Sequence, residues 1–337
     1  MHKGSLSLAG LALLVLTCLV PPTAHADELN IYSHRQRELI NPFLDAFQAE
    51  TGVTMNVVFA VKGLAQRLEA EGARSPADVI LTVDIARLSD YAERGLLAPV
   101  DSAVLSENVP VHLRDPENRW FALSKRARVV AYSKERVAEG EIGRLEDLVD
   151  VKWRGRLCTR AGSHVYNRAL LSSLIAANGE AAAEAWAQGL VGNLARNPQG
   201  NDRAQIKAIH EGVCDAAIVN NYYIQLMKNS EATEQREWVA SVGVAFTNQN
   251  DRGNHINISG AGVAVHSKHK ATAVAFIEFL TRPDMQALYA KLNHEYPVKL
   301  GVVMSGALEP FVEDHVQIGT IATLAPRAQM IIDRVGW

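Results

Sequence analysis

The run Ile218-Val219-Asn220-Asn221-Tyr222-Tyr223 places two phenols side by side where an apolar, strand-like stretch gives way to a segment with helical character. Adjacent side chains point to opposite faces of a strand, and in a helix they lie about 100° apart. Neighbouring tyrosines therefore reach one small target only at an irregular turn or a helix start. A third tyrosine, Tyr166 in CTRAGSHVYNRALL, also stands after a strand-like run and before a helical one. The chain has only eight tyrosines, so three at junctions of this kind is a pattern to explain. Phenolate is a hard, anionic oxygen donor, yet with an ordinary pKa of about 10 it stays protonated at neutral pH. A strongly charged hard cation reverses that preference. Fe3+ meets the demand, whereas Zn2+ and Cu+ prefer His and Cys. Three phenolates balance three positive charges and leave coordination positions for an anion or water. A helix N-terminus also favours the developing negative charge. Taken alone, the Tyr222–Tyr223 pair also fits one ring packed in the core and the other exposed.

The elements that must position these residues alternate along the chain. ELNIYS (28–33) predicts a strand, followed by a helix with Leu39, Ile40, Phe43, Leu44 and Phe47 on one face and Gly52 as its stop. VTMNVVFA (53–60) is a second strand, Leu64 and Leu68 mark a helix ending at Gly72, and ADVILTVD (77–84) reads as a strand buried on both faces. This βαβαβ order implies a parallel sheet with right-handed crossovers. A Pro- and Asp-containing stretch (109–118) precedes the long extended segment WFALSKRARVVAYS (120–133). A second α/β unit begins at RGRLCT (154–159), with helices near 168–177, 180–190 and 202–211 and strands at 212–219, 240–247 and 260–266. The remainder is helical, with Pro283 suited to a first helical position.

The N-terminus carries export information. His2 and Lys3 precede an apolar run, Leu8 to Val20, and Ala24-His25-Ala26 is a small-x-small cleavage site, which predicts a mature chain from about Asp27. The run is shorter than the ~20 residues a membrane helix needs. Cys18 lies inside the apolar run in a poor lipobox and leaves with the signal peptide. The other two cysteines, Cys158 and Cys214, are expected to pair in an exported chain. No second ligand at a recognisable spacing supports a zinc or catalytic-thiol role for either. A formal net charge of −3 gives no reason to expect nucleic acid or an anionic membrane as partner. The length of 337 residues calls for two lobes with separate cores.

Export, two α/β lobes and the tyrosine trio together make the chain resemble the periplasmic ferric-iron-binding proteins of bacterial ABC importers, the bacterial transferrins. The resemblance covers essentially the whole mature chain. It rests on IYSHRQ (31–36), KGLAQRL (62–68), SPADVILTVDIARL (75–88), WFALSKRARVVAYS (120–133), CTRAGSHVYN (158–167), NNYY (220–223) and EYPV (295–298). It implies a type II bilobal periplasmic binding fold: two α/β lobes around parallel-rich sheets joined by hinge strands. We assign residues 27–125 with about 247–300 to the first lobe. About 126–246 with 301–337 form the second, which carries the tyrosine cluster. The resemblance further implies Fe3+ bound by Tyr166, Tyr222 and Tyr223, with a synergistic anion, carbonate or bicarbonate, held by Arg35 and Arg126. A guanidinium suits bidentate contact with such an anion. Arg128, two residues on, is a further anion candidate; strand alternation puts it on the same side as Arg126, which also fits a solvated strand face. The expected partners are an inner-membrane permease and its ATPase, with the receptor itself a monomer and not an enzyme.

One departure concerns the first strand-to-helix loop. Some family members supply His or a His-Tyr pair there; here Gln36 and Arg37 fall at those positions and His34 is displaced by two. His34 is retained as a candidate ligand beside a surface-histidine reading. Asp84 is a candidate hinge or lobe-closure contact. Other functions stay open from sequence: a receptor for an organic cation boxed by tyrosines, an oxyanion receptor, or an exported α/β hydrolase. The hydrolase lacks a GxSxG elbow.

Overall fold

The computed structural model describes Met1, residues 28–304 and residues 308–337. Apart from Met1, the expected signal segment, 1–26 with Cys18, lies outside the described residues. Among the described residues nine strands form one continuous, curled mixed sheet: β1 (Glu28–Ser33), β2 (Thr54–Phe59), β3 (Val79–Thr82), β4 (Leu97–Ala98), β5 (Phe121–Ser133), β6 (Leu157–Cys158), β7 (Ala216–Asn220), β8 (Val242–Ala245) and β9 (Ile256–Ala264). Their order is β2-β1-β3-β9-β5-β7-β6, with β4 also on β9 and β8 also on β5.

The expected parallel unit is present at one end, where β1 pairs in parallel with β2 and β3. The β6–β7 pair is parallel at the other. Between them the ladders are antiparallel, so the sheet is mixed rather than parallel-rich. The cause is β5 and β9, which run alongside each other in opposite directions and carry the chain between the two ends. β5 pairs with β9 through Ala127, then with β7 and β8 from Arg128 onward. A strand of 13 residues thereby serves two sheet halves. β9 starts at Ile256, earlier than its apolar run at 260–266 suggests, because Asn257 and Ser259 are buried strand residues. Polar side chains hide a strand from hydropathy when other side chains satisfy them.

The local signals explain most helices. Ile40, Phe43, Leu44 and Phe47 make the buried face of the helix Arg37–Thr51, and Gly52 ends it in the left-handed region at φ 75°. Pro283 opens the helix Pro283–Asn293. One apolar core gathers β1 and β3 with Phe121, Leu123, Ile256 and Ile258. Two further clusters cover the opposite faces of the β5–β7 region, one through Val130 and Ile218, the other through Val129 and Val219. Ile318, Ile321 and Ala322, which the sequence assigns to the second lobe, pack instead in the first core. Cys158 and Cys214 form a disulfide with Cα atoms 5.9 Å apart.

Candidate functional site: a tyrosine cluster in an arginine-lined cleft

Tyr166 is the second residue of the helix Val165–Asn178; Tyr222 and Tyr223 are the second and third of Asn221–Lys228. These helices follow β6 and β7, which are neighbours and parallel, so the tyrosines sit beyond carboxyl ends of strands, where open α/β sheets bind ligands. The two asparagines ahead of the pair act as fasteners. Asn221 Oδ1 accepts from the Ala127 N–H on β5 at 2.9 Å, and the Asn220 N–H donates to Asp202 Oδ2 at 2.8 Å. The helix therefore begins at the strand end, which brings both phenols to one place. The Tyr222 and Tyr223 rings have centroids 4.3 Å apart, and the hydroxyl oxygens of Tyr166 and Tyr222 are 3.3 Å apart. Behind Tyr166, the Gly162 N–H donates to the Trp337 carbonyl at 3.1 Å. A Cβ at Gly162 would come within 2.7 Å of the Trp337 ring, so glycine permits this approach.

The three phenols line a cleft of about 280 Å³ that is also lined by His34, Arg35, Gln36 and Arg87. Arg126 and Glu295 also line it. Arg35 is buried and donates to Glu295 Oε2 at 2.8 Å and to Ser259 Oγ at 2.7 Å. Burial opposes its charge, but Glu295, with Tyr289 and Tyr222 adding to it, outweighs burial, and its pKa is raised. Ser124 Oγ donates to the same carboxylate oxygen. Arg126 donates to Ser259 Oγ at 3.0 Å and to the Val83 carbonyl. The two sequence-predicted anion ligands thus share one hydroxyl.

Arg128 is placed differently. It does not line the cleft; it is buried and donates to Asp202 at 2.7 Å, Asn167 at 2.6 Å and Asn220 at 3.2 Å. Arg126 and Arg128 do lie on one side of β5, with guanidinium carbons 5.4 and 5.8 Å from the Tyr166 ring centre. Both are buried, so this is not a solvated face. His34 lines the cleft with both ring nitrogens engaged: Nδ1 lies 2.8 Å from the Ala60 carbonyl and Nε2 3.0 Å from the Tyr91 hydroxyl. A carbonyl only accepts, so Nδ1 carries the proton and the Nε2 lone pair accepts from Tyr91. Burial, then Arg87, lowers the His34 pKa to about 4. Asp84 caps the helix Ile85–Glu93 through Ala86 N at 2.9 Å and accepts from Asn257 Nδ2 of β9 at 2.9 Å.

Arg87, Arg160, Arg203, His164 and Glu295 also line the cleft, and no role for them is legible in the sequence. Arg160 and His164 lie inside CTRAGSHVYN, and Glu295 inside EYPV, but their spacing alone carries no chemistry. Arg160 lies over the Tyr166 ring at 5.3 Å and Arg203 over the Tyr223 ring at 5.1 Å. His164 caps the Tyr166 helix, accepting from Tyr166 N at 3.3 Å, and burial and Arg160 push its pKa down to about 3. Burial also pushes the Tyr222 and Tyr223 phenols above their ordinary range; Tyr166 and Tyr223 add to this at Tyr222, and Tyr166 and Asp202 add to it at Tyr223. Arg126 beside Tyr222 and Arg160 beside Tyr223 pull the other way. Two phenols that burial keeps protonated, a third whose hydroxyl lies 3.3 Å from one of them, and the guanidinium groups around them make an arrangement that suits a high-valent cation together with an anion.

Residues 32–287 match the family model described as bacterial extracellular solute-binding protein. The chain belongs to that family. Among solute-binding relatives, it is 42% identical over 314 residues to Iron uptake protein A1 of Synechocystis, covering 92% of this chain and 87% of the relative. A Trichodesmium structure (IdiA, FutA) solved with iron and citrate ligands superposes with a TM-score of 0.88 at 41% identity, over 92% of this chain and 99% of that one. The ferric iron-binding protein A of Mannheimia haemolytica, solved in an open conformation, gives 0.87 at 42% identity over 92% and 99%. The fold is accordingly that of the bilobal periplasmic iron-binding proteins.

Proposed function

We propose that this chain is the periplasmic receptor of an ABC iron importer, with Fe3+ as its cargo. The observation that carries the reading is the convergence of Tyr166, Tyr222 and Tyr223 on one arginine-lined cleft. Three phenolates neutralise the ion, and each must lose its proton as the metal enters. Among the described residues no three His, Cys, Asp or Glu side chains form a metal-holding group, which leaves the phenols as the hard donors.

The phenolates do not complete an octahedral ion, and the arginines favour an anion in the remaining positions. Arg126 is the principal anion residue, since its present partners are a hydroxyl and a carbonyl, both neutral. Arg35 takes part from beside it, with its charge balanced by Glu295. Arg128 supports the site through Asp202 rather than touching the anion. His34 keeps its Nε2 turned to Tyr91 and stays outside the coordination sphere. The anion is carbonate or a small carboxylate; the citrate in the Trichodesmium structure makes the second a concrete case. The lobes, 27–125 with about 247–300 and 126–246 with 301–337, apart from the 318–322 segment, close over the ion about β5 and β9. The closed form is then what the permease recognises.

An organic-cation receptor is the weaker reading, because guanidinium groups over Tyr166 and Tyr223 repel a cation from those ring faces. The deciding experiment is a visible spectrum with metal analysis of purified protein given Fe3+, with and without bicarbonate or citrate. A broad phenolate-to-iron charge-transfer band with one iron per chain is expected. A colourless protein that binds phosphate or an amine instead would overturn the reading.

A further inference from the structure

Asp202 touches none of the three phenol oxygens, yet it is the point at which the tyrosine-bearing segments are joined. It is the first residue of the helix Asp202–His210 and is fully buried. Its Oδ2 accepts from Arg128 at 2.7 Å and from the Asn220 N–H at 2.8 Å, two residues before Tyr222. Its Oδ1 accepts from Arg160 at 3.1 Å, in the loop leading to Tyr166. Arg128 completes the knot. From its position on β5 it donates through Nη2 to Asn167 Oδ1 at 2.6 Å, next to Tyr166, and through Nη1 to Asn220 Oδ1 at 3.2 Å. Asn167 in turn donates to the Arg160 carbonyl at 2.9 Å and to Thr159 Oγ1 at 3.1 Å. One carboxylate and one guanidinium thus bind the loop before Tyr166 and the turn before Tyr222 to a common point.

We infer that Asp202, acting with Arg128, is the positioning residue that sets the separation of Tyr166 from the Tyr222–Tyr223 pair. The inference rests on the proposed ferric site and deepens it. The physical requirement is that ligand oxygens from two helices meet one small ion within a few tenths of an ångström, and loops alone do not hold such tolerances. A buried carboxylate held by two guanidinium groups and a backbone N–H is fixed in one orientation by three hydrogen bonds. A forked guanidinium spans two loops at once, and an ammonium in its place cannot.

The test uses two substitutions that keep side-chain volume, Asp202→Asn and Arg128→Lys. Each is read by ferric affinity in bicarbonate buffer, by the charge-transfer band at saturating iron, and by a thermal melt without metal. Asp215→Asn serves as control. Asp215 is also paired with two arginines in this part of the chain, Arg136 and Arg156, but it bonds neither tyrosine loop. Expected is a loss of affinity of about ten-fold or more in both test variants, with the saturated band displaced, because the phenolates then meet the ion in altered geometry. The control should lose thermal stability while keeping the wild-type band. Arg128→Lys keeps the ion pair, so it reads positioning even where Asp202→Asn is too unstable to purify. A wild-type band and affinity in Arg128→Lys would overturn the inference, as would equal displacement in the control. A wild-type protein without any charge-transfer band would instead strike at the ferric reading itself.

Discussion

The hydroxyl oxygens of Tyr166 and Tyr222 lie 3.3 Å apart although 56 residues separate them in the chain. Two helices starting at adjacent strand ends bring them together, and the Cys158–Cys214 disulfide ties β6 to the segment just ahead of β7. Burial, then the neighbouring phenols Tyr166 and Tyr223, raises the Tyr222 pKa, and in the proposed ferric site the cation would relieve that repulsion.

Removing one phenol removes one charged donor from a site with few others. Tyr166→Phe, Tyr222→Phe and Tyr223→Phe should each weaken ferric binding by orders of magnitude and bleach or shift the visible band. Competition titration against a ferric chelator measures the first, and absorbance of the loaded variants the second. Wild-type values in Tyr222→Phe and Tyr223→Phe would exclude the pair as ligands.

Acid should release the ion. Burial raises the Tyr222 and Tyr223 phenols above their ordinary value of 10.0, so in the metal-free protein they are protonated at neutral pH. Each phenol that binds must lose its proton, and apparent affinity therefore rises with pH. The logarithm of the ferric dissociation constant should fall by up to about three for each pH unit gained, with three phenols ionising. A proton-release measurement on adding Fe3+ at fixed pH checks the stoichiometry; a pH-independent constant would contradict it.

The two arginines proposed to hold the anion should separate in stability. Arg35 and Glu295 form a buried pair at 2.8 Å with side chains 3% and 5% exposed. Removing one partner of such a pair costs about 3–5 kcal/mol, because the other charge is left buried and unpaired. Arg35→Ala should accordingly lower the melting temperature of the metal-free protein well below that of Arg126→Ala, whose loss strands no charge. Both should weaken iron binding and make it less dependent on bicarbonate. Calorimetry and affinity with and without bicarbonate test the two halves independently.

The metal-free fold should also weaken in acid for a reason unrelated to iron. Burial is the main cause that holds His255 and His164 down to about 3 and His34 to about 4, with neighbouring arginines adding to it. Between the ordinary histidine value of 6.5 and those values, the unfolded chain takes up protons that the folded chain refuses. Stability is therefore intact above about pH 6.5 and is lost as pH falls toward 4 and 3. Thermal melts from pH 7 to 4 should show the decline, and His255→Gln should make it shallower.

Reduction of Cys158–Cys214 should cost stability. Its sequence separation of 56 corresponds to about 4 kcal/mol on the loop-entropy account. Non-reducing peptide mapping should recover the linked pair, and denaturant unfolding with and without reductant should show the difference.

The amino-acid order by itself determined what depends on neighbours in the chain. Apolar periodicity places the helix Arg37–Thr51, Gly52 and Pro283 mark helix ends, and the side-by-side Tyr222 and Tyr223 point to hard-donor chemistry. Those signals are local, so no tertiary contact is needed to read them. Tertiary structure decided the partners. Asn257 and Ser259 look unlike strand residues until Asp84, Arg35 and Arg126 are seen to bond them. Arg126 and Arg128 are equivalent by alternation on β5, yet only Arg126 lines the cleft, because Asp202, 74 residues along from Arg128, claims the second guanidinium. His34 loses its free lone pair to Tyr91, 57 residues away. A buried charge or polar group is assigned by whichever partner the fold brings within hydrogen-bonding distance, and spacing along one chain does not contain that information.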